Sequence, residues 1–498
     1  MSQVPAIRLR TVKEAPVRRD GDWVLYWMTA QRRPRYNFAL QHALHWCEEL
    51  GKPLVVLEPL RCDYPWSCER FHRFVVQGMA DNARAMDRKG VTHYPYLEPE
   101  PGAGRGLLAA WAERACVVVG DDYPAYFLRH LPRAAARQID VRLEVVDSNG
   151  LLPMRAADRT FARAYDLRRF LQKNLLEHLA EAPESDPLDE TEPPRSKPVP
   201  DEIAERWPAA EPRRLLDEKD GFARFPFENE VPTVETLGGH VAGEETLLAF
   251  VEEKLEAYGD QRNQPERDAT SRLSPYLHFG CVSAHQAFDE IADREQWSPK
   301  KVSSKTAGQR EGWWGMSPAA ESFLDELVTW RELGFNMCSR ETRHDRYESL
   351  PDWAQKTLAE HEDDEREHVY TLEEFERGAT HDDLWNAAQG QLVREGYIHN
   401  YLRMLWGKKI LHWSESPRAA LDIMLELNNK YALDGRDPNS YSGIFWVLGR
   451  YDRAWGPERE IFGKIRYMTC DNTRRKCSVD GYIDEYAPSD GQLKLGFD

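Results

Sequence analysis

The hydrophobic pattern of this 498-residue chain changes its period once, and that change limits which folds the chain can adopt. Four short apolar runs lie in the first 150 residues: "DWVLYWM", "KPLVVLEPL", "ACVVVGDD" and "VRLEVVDSNG". Amphipathic stretches such as 37–50 separate them, and strands that alternate with helices predict a parallel sheet covered by helices. From about residue 240 onward the pattern is almost wholly helical. We therefore predict an α/β domain, a linker and a large α-helical domain.

The predicted linker is recognised by its composition. Residues 181–220 hold eight of the 31 prolines, among many charged residues. Such a composition is typical of a segment that wraps over a surface and has no core of its own. The total length also exceeds what one small core organises, so two domains or more are expected.

The bulk composition is that of an ordinary soluble globular protein, with 41% hydrophobic and 30% charged residues. No apolar run reaches the length of a membrane span, and the N-terminus lacks the apolar core of a signal peptide. The eight cysteines include no Cys-x-x-Cys pair, which argues against a zinc ribbon, a thioredoxin-like motif and a disulfide framework. We expect a reduced, cytoplasmic protein with no membrane association and no metal site.

The charge is unevenly distributed along the chain. The net charge of −18 by itself disfavours nucleic acid as a partner. However, segment 360–376 carries nine acids and one arginine, whereas segment 463–476 carries five bases and one acid. A local basic face on an acidic body remains compatible with nucleic-acid binding.

The segment "ATSRLSPYLHFG" at 269–280 combines hydroxyl groups with a helix start. Ser274 followed by Pro275 predicts an N-cap and a first helical residue, and Thr270 and Ser271 lie just upstream. Free N–H groups and hydroxyls at a helix start can bind a diphosphate. On spacing alone, a plain capped helix is the more frequent explanation.

The same segment resembles the flavin-binding signature of the photolyase/cryptochrome family. "RYDRAWGPEREIFGKIRYM" and "LDGRDPNSYSGIFW" are similar specifically to class II cyclobutane pyrimidine dimer photolyases. "VLYWMTAQRRPRYNFAL" and "VVDSNGLLP" resemble that class as well. The motifs occur in the expected order and span roughly residues 20–490.

The resemblance implies a domain organisation, a cofactor and a partner. It implies a Rossmann-like α/β antenna domain over 20–160, an interdomain linker over 161–235, and an all-α FAD-binding and DNA-binding domain over 236–498. The implied cofactor is FAD in a U-shaped conformation. A second, antenna chromophore could be a deazaflavin or a folate, and an empty antenna site is equally compatible. The implied partner is double-stranded DNA that contains pyrimidine dimers, bound by a monomer.

Matching positions in the family motifs assign the flavin contacts. Asn428 would hydrogen-bond flavin N5, where an amide can both donate and accept. Arg403 and Asp434 would form a pair that faces the ring and balances its charge. Asp437 and Asn439 are weaker candidates from the same loop. The remaining assigned contacts are Tyr258, Arg262, Thr270, Ser271, Leu273, Ser274 and Arg331. For Tyr258 and Arg262, an exposed helix face is the alternative explanation.

The resemblance also assigns a pocket for a dimer flipped out of the duplex. Glu326 and Trp330 lie one helical turn apart in "FLDELVTWREL", so they would share a face. Met404 and Trp446 would complete the pocket walls, and the carboxyl group would hydrogen-bond a base edge. Two further positions, Arg453 and Arg466, would engage the DNA around the vacated site, although a solvated surface explains the basic run equally well.

Three tryptophans stand in an otherwise helical segment. Trp406 and Trp413 are seven residues apart, which is two turns and about 10 Å along a helix axis. By resemblance they form, with Trp385, the electron-transfer relay that photoreduces oxidised FAD. Trp406 would be nearest the flavin, Trp385 the middle step and Trp413 the exit. Taken singly, each indole is more often a core residue, but leucine could not be oxidised in its place.

The resemblance thus implies a light-dependent lyase that splits cyclobutane pyrimidine dimers by electron transfer from photoexcited reduced FAD. A cryptochrome-like photoreceptor would use the same flavin and indoles but signal through a partner. A photolyase for the (6-4) lesion would be expected to show paired histidines in the pocket. A flavin oxidoreductase would need a nicotinamide fingerprint, and "PGAGRG" at 101–106 lacks its spacing.

Overall fold

The computed structural model describes residues 2–195 and 198–487. The chain divides into two compact units. The first contains the chain up to Asp158 together with Leu171–Val251 and Arg272–Lys301. The second contains Arg159–Phe170, Glu252–Ser271 and the chain from Val302 onward. The functional division predicted for 20–160, 161–235 and 236–498 stays a prediction.

A sheet organises the first unit, with six strands in the part of the chain that the structure describes. The strand order is β1-β6-β5-β2-β3-β4, and only the β1–β6 pair is antiparallel among the paired strands. All four predicted strands and the parallel sheet are confirmed. The two unpredicted strands lie at the sheet edges, where mixed sequences such as "LRTVK" and the proline-containing "THYPYL" are tolerated. The strands are β1 Leu9–Lys13, β2 Trp23–Trp27, β3 Leu54–Leu60, β4 Thr92–Leu97, β5 Ala115–Asp121 and β6 Leu143–Val146.

The α-helices are the main regular element in the rest of the described chain. The predicted helix over 37–50 is confirmed, because Asn37 caps it by accepting the N–H groups of Ala39 and Leu40, and Gly51 ends it with φ 64°. In chain order the helices are α1 Phe38–Leu50, α2 Glu69–Asp87, α3 Leu107–Glu113, α4 Leu131–Ala136, α5 Ala164–Leu179, α6 Asp201–Arg206, α7 Pro212–Asp217, α8 His240–Ala249, α9 Leu255–Gln261, α10 Ser274–His278, α11 Ala284–Arg294, α12 Pro318–Leu324, α13 Arg331–Arg340, α14 Asp352–Glu360, α15 Leu372–Arg377, α16 Asp383–Glu395, α17 Asn400–Trp413, α18 Pro417–Tyr431, α19 Pro438–Val447, α20 Cys470–Lys476 and α21 Asp480–Tyr486.

Hydrophobic side chains cover both faces of the sheet, as expected for a mainly parallel sheet. Alternate residues of β2 point to opposite faces: Val24 and Tyr26 pack with α1, whereas Trp23 and Leu25 pack with Trp111 of α3. The sheet core therefore lies in two layers, one on each side of the strands.

The proline-rich segment 181–220, predicted to wrap over a surface with no core of its own, places several side chains in clusters formed mostly by other segments. Ile203 and Trp207 belong to the core on the Trp111 side of the sheet, and Leu215 packs with Phe222 in a further cluster. The indole N–H of Trp207 donates a hydrogen bond to the Ala103 carbonyl oxygen at 2.9 Å. A few large apolar residues anchor this segment, and its average composition conceals them.

The described residues of the second unit contain no β-strand, in agreement with the predicted all-α part. Two π-helical segments interrupt the helical pattern, Phe250–Lys254 directly before α9 and Asp325–Trp330 directly before α13. Such segments widen a helix by one residue per turn and occur frequently at functional sites. Within 2–195 and 198–487, no helix combines the length and the apolar character that crossing a membrane requires.

Candidate functional site

The first cluster of predicted residues lies around α9 and the π-helical segment Asp325–Trp330. Arg262 donates from Nη1 to Glu326 Oε1 at 2.5 Å and to the Tyr258 hydroxyl at 3.5 Å. Its guanidinium carbon lies 5.5 Å from the centre of the Tyr258 ring. Tyr258 is buried, so an exposed helix face does not describe it. The structure thus joins two predicted flavin contacts to the predicted dimer contact Glu326.

The electrostatics of this cluster keep the arginine charged. Burial raises the pKa of Tyr258, and the Glu326 carboxylate raises it further. Burial also raises the pKa of Glu326, while Arg262 acts in the opposite direction. For Arg262, burial works against the charge, but Glu326 and Tyr258 outweigh it and raise the pKa. A guanidinium held in this way can bind an anionic group.

The hydroxyl run before α10 is arranged differently from the prediction. Helix α10 begins at Ser274, so Leu273 takes the N-cap position and provides no side-chain cap. Arg272, two residues before this helix, has φ 55°, a left-handed value that is uncommon for a residue other than glycine. Thr270 is half-buried and accepts a hydrogen bond from the Tyr397 hydroxyl at 3.3 Å. Ser271 is half-buried as well.

A second cluster joins α17, α18 and α19. Arg403 binds Asp434 through two hydrogen bonds, of 3.1 Å from Nη1 and 2.9 Å from Nη2. Asn428 is buried near the end of α18 and donates from Nδ2 to the Ser440 hydroxyl at 2.8 Å. Asp437 caps α19 by accepting the N–H of its second residue at 2.7 Å.

This second cluster fits the flavin that the resemblance implies. Arg403 Nε is buried and, across the described residues, has no hydrogen-bond partner. A buried N–H without an acceptor is rare in proteins and suits a site that a polar ligand completes. Arg331, a third predicted cationic contact besides Arg262 and Arg403, is also buried, and its guanidinium carbon lies 4.4 Å from the Phe335 ring centre.

Trp385 links the three predicted relay tryptophans, because it contacts each of the other two. The Trp385 indole N–H donates to the Trp406 carbonyl oxygen at 3.0 Å. The Trp385 and Trp413 ring centres lie 6.2 Å apart. The Trp406 indole N–H donates to Gln389 Oε1 at 2.9 Å. All three side chains are buried, and Trp385 contacts both of the others.

The outer end of this chain of indoles is surrounded by titratable groups. Rings of Tyr370 and His381 lie with their centres 5.9 and 4.8 Å from that of Trp413. The ammonium group of Lys409 lies 5.0 Å from the same ring centre. Burial lowers the pKa of the adjacent His412 to about 4, with Lys409 contributing in the same direction. Trp413 therefore has a more polar environment than the two inner indoles.

Cations flank the predicted pocket residue Trp446. Lys408 Nζ lies 4.9 Å and the Arg466 guanidinium carbon 5.6 Å from its ring centre. Both distances are within the range of a cation–π interaction. Trp330 and Met404, the other two predicted walls, are each partly exposed.

The predicted DNA-contacting arginines share one aromatic partner. Arg466 and Arg453 lie over the Trp455 ring, with guanidinium carbons 4.2 and 4.4 Å from its centre. Arg466 also binds Asp452 through Nε at 2.7 Å and Nη2 at 3.2 Å. Arg453 is exposed. The result is a cationic face that projects from the segment after α19.

Glu326 and Trp330 belong to the π-helical segment, where hydrogen bonds join residues five apart. The α-helical turn expected between them is therefore a wider turn, and their shared face stays a prediction. Glu326 keeps 31% of its side chain exposed, which leaves it accessible despite its pairing with Arg262.

Sequence reasoning missed several residues of these clusters. Gln389 stands four residues after Trp385, so helical spacing could have found it. Asp452 and Trp455 stand inside the quoted motif "RYDRAWGPEREIFGKIRYM". Tyr397 and Lys408 carry no such signal, because isolated tyrosine and lysine residues are common on surfaces.

Comparisons with known proteins identify the family. No family model matches the chain. A deoxyribodipyrimidine photo-lyase of Methanothermobacter thermautotrophicus is 32% identical over 482 residues, which cover 97% of this chain and 98% of that protein. The corresponding protein of Arabidopsis thaliana is 33% identical, with 96% and 92% covered. That of Potorous tridactylus is 32% identical, with 94% and 81% covered.

The fold has a counterpart among solved structures. A bacterial class III photolyase from Agrobacterium tumefaciens superimposes with a TM-score of 0.67 at 17% identity, covering 94% of this chain and 86% of that one. This likeness supports the fold, an α/β part followed by a helical part. Together with the nearly full-length similarity to the curated relatives, it shows that the chain belongs to the deoxyribodipyrimidine photo-lyase family.

Proposed function

We propose that this protein is a class II photolyase that uses blue light to split cyclobutane pyrimidine dimers in double-stranded DNA. The observation that carries the proposal is the chain of buried indoles, Trp406, Trp385 and Trp413, two of them on the helix that also bears Arg403. The relatives are named photo-lyases, and nothing gives the cryptochrome-like alternative better support.

FAD, when bound, supplies the photoexcited electron that opens the dimer. Residues of this chain would hold and orient it. Asn428, Arg403 and Asp434 would address the ring, and Asp437 would order the loop beside them. The phosphate-binding group would be Tyr258, Arg262, Thr270, Ser271, Leu273, Ser274 and Arg331.

The Arg403–Asp434 pair supports a role at an electron-rich ring. The two side chains are 23% and 12% exposed, so their interaction is only partly screened by water. Asp434 holds the guanidinium in one orientation and leaves Nε available to an acceptor.

Glu326 would hydrogen-bond one base of the dimer. Burial raises the pKa of this carboxyl group and Arg262 acts in the opposite direction, while the oxygen that does not pair with Arg262 can accept from a base N–H. Its bond to Arg262 fixes the direction of the second oxygen. Trp330, Met404 and Trp446 would line the pocket walls.

Arg453 and Arg466 would contact DNA beside the pocket. Stacking on Trp455 holds both guanidinium groups in place, which lowers the entropy lost when a phosphate binds. Asp452 pairs with Arg466, so these two arginines and this carboxylate together keep one net positive charge on an acidic protein.

The partner, assembly and compartment follow the same proposal. The protein would act as a monomer on dimer-containing double-stranded DNA in the cytoplasm. All eight cysteines are free and buried, which suits a reducing compartment. A second chromophore in the α/β unit, a deazaflavin or a folate, would add a near-ultraviolet or violet band to the flavin spectrum.

A repair assay tests the proposal. Purified protein with reduced flavin is mixed with an oligonucleotide that contains one thymine dimer. One half of the sample is kept in blue light and the other half in darkness. We expect restored thymines only in the light, and no change in an undamaged control. Equal repair in darkness, or no repair in light with full FAD occupancy, contradicts the proposal.

A further inference from the structure

Lys408 is a buried lysine that the proposed mechanism does not use. It lies on α17, two residues after Trp406, and no part of it is exposed. Its Nζ donates to the carbonyl oxygen of Val447 at 2.6 Å. Val447 is the last residue of α19, where carbonyl groups lack partners within the helix. Lys408 therefore caps α19 with a positive charge, the sign that a helix C-terminus favours.

The charge of Lys408 has little compensation. Among the described residues, no carboxylate comes within 4.0 Å of its ammonium group. Taking a cation out of water without an ion-pair partner is costly, and a neutral side chain would cap or fill the position at a smaller cost. A buried charge of this kind points to a function.

The second contact of Lys408 indicates that function. Its ammonium group lies 4.9 Å from the ring centre of Trp446, the proposed wall of the dimer pocket. Trp446 and Val447 are consecutive, so one ammonium group fixes both the indole and the end of the helix that carries it. The chain continues from this helix end to Asp452 and Arg453.

We propose that Lys408 is a positioning residue for dimer recognition, which holds the Trp446 indole and the end of α19 in the geometry that binds damaged DNA. This inference rests on the proposed function, because the role of Trp446 comes from there. Lys408 touches neither DNA nor cofactor in this proposal, and acts through Trp446 and Val447.

The charge of Lys408 depends on pH in the physiological range. Burial lowers its pKa to about 7, Asp452 acts to raise the pKa, and Arg466 lowers it further. The neighbouring helices α16 and α18 turn the neutral Gln389 and Met424 toward this part of α17. Asp452 and Arg466 are therefore the charged groups that set its protonation.

DNA binding changes that balance. Phosphates beside Arg466 offset its repulsion of Lys408, so the pKa of Lys408 is higher in the complex than in the free protein. A group whose pKa rises on binding favours the complex while it is protonated. Affinity for dimer DNA is thus greatest below pH 7 and falls as the pH rises from about 7 to 8. A rise of one unit in this pKa corresponds to roughly a fivefold loss of affinity between pH 6.5 and 8.5.

The test measures dissociation constants in the dark by fluorescence anisotropy, with FAD-loaded protein and labelled dimer DNA at constant ionic strength. The parent protein should lose affinity by roughly fivefold from pH 6.5 to 8.5. Lys408→Met should bind at pH 6.5 as weakly as the parent does at pH 8.5, with no pH dependence. Lys408→Arg should bind tightly at both pH values, because arginine does not deprotonate there.

Lys409→Met is the matched control. Lys409 is the next residue of the same helix, but its ammonium group lies over the ring of Trp413 and not over that of Trp446. Its variant should keep the affinity and pH profile of the parent. The Lys408→Arg and parent profiles decide the question even if Lys408→Met does not fold.

The outcomes separate this inference from the function on which it rests. If the parent protein does not prefer dimer DNA to undamaged DNA, the proposed function fails. If it does prefer dimer DNA but its affinity is the same at both pH values, or Lys408→Met keeps the full pH dependence, only the role of Lys408 is overturned.

Discussion

Two groups of tryptophans in the helical unit have opposite surroundings. The indole N–H groups of Trp385 and Trp406 are buried and donate to neutral oxygens, a backbone carbonyl and Gln389. Trp446 and Trp455, by contrast, are partly exposed and have lysine or arginine groups over their rings.

The difference teaches how one residue type can serve two purposes. A positive charge beside an indole opposes the removal of an electron from it, whereas a neutral acceptor at the N–H does not. The same positive charges attract a polyanion. The buried pair therefore suits electron transfer, and the flanked pair suits recognition of damaged DNA. Trp413, with Lys409 beside it, lies between these two cases.

The largest effect is expected from Trp406→Phe. Phenylalanine keeps most of the apolar volume, at a packing cost of about 1–2 kcal/mol, but it is far harder to oxidise. We expect the variant to bind FAD and to lose photoreduction of the oxidised cofactor, followed by absorbance under blue light. Photoreduction at the parent rate would mean that the buried indoles are only core residues.

Asp434→Asn tests whether the cofactor lies at the inner end of the relay. The change leaves the Arg403 charge without its partner. Because the pair is partly exposed, we expect a loss of about 2 kcal/mol in the free energy of FAD binding, which corresponds to roughly 30-fold weaker binding. FAD retention is measured during dialysis. Asp422→Asn, an exposed acid on α18, is the control and should retain FAD. Equal FAD retention by both variants would show that the flavin does not bind beside Arg403.

Glu326→Gln tests the carboxyl group that pairs with Arg262. The amide keeps the shape but loses the charged bond to Arg262, so repair efficiency should fall by about tenfold, the loss expected for one charge-assisted hydrogen bond. FAD content should stay at the parent level, measured by flavin absorbance. A variant that loses FAD but repairs normally when saturated would assign Glu326 to the cofactor through Arg262.

Arg466→Ala tests the cationic face. If Arg466 contacts a phosphate, the slope of log affinity against log salt should fall by about 0.9, with roughly fivefold weaker binding at moderate salt. Arg418→Ala is a matched control, since Arg418 also pairs with an acid, Glu348, and lies 4.3 Å from the Tyr347 ring centre. An unchanged slope for Arg466→Ala would place this arginine away from the DNA backbone.

The smallest effect is expected from Trp413→Phe. Trp406 and Trp385 can still donate an electron to the flavin, but the electron returns sooner because the positive charge cannot move on to Trp413. The yield of photoreduction should therefore fall, but by less than in Trp406→Phe. Time-resolved absorption would report a shorter-lived radical. A loss as complete as in Trp406→Phe would make all three indoles equally necessary.

Much of the fold could be predicted because its signals are local. The strands β2, β3, β5 and β6 are nearly uninterrupted apolar runs, and α1 has a capping asparagine and a terminal glycine. The edge strands β1 and β4 lack such a pattern, because an edge needs less apolar sequence. The anchors of segment 181–220, such as Trp207, could not be predicted, because an average composition hides single residues.

The arrangement of the site was less accessible from sequence. The three indoles could be grouped by helical spacing and family motif, but the bond from Trp385 to Trp406 depends on how two helices pack. The π-helical turn at Glu326 has no sequence signature, and it changes which residues lie side by side. Lys408 looks like a surface lysine, and only tertiary packing reveals that it is buried.

The most direct test of the account compares Trp406→Phe with Trp446→Phe in two assays, photoreduction of oxidised FAD and dimer repair after chemical reduction. The account predicts that Trp406→Phe loses photoreduction and repairs like the parent, whereas Trp446→Phe photoreduces like the parent and repairs less efficiently. Loss of the same activity in both variants would contradict the division between the two groups of tryptophans.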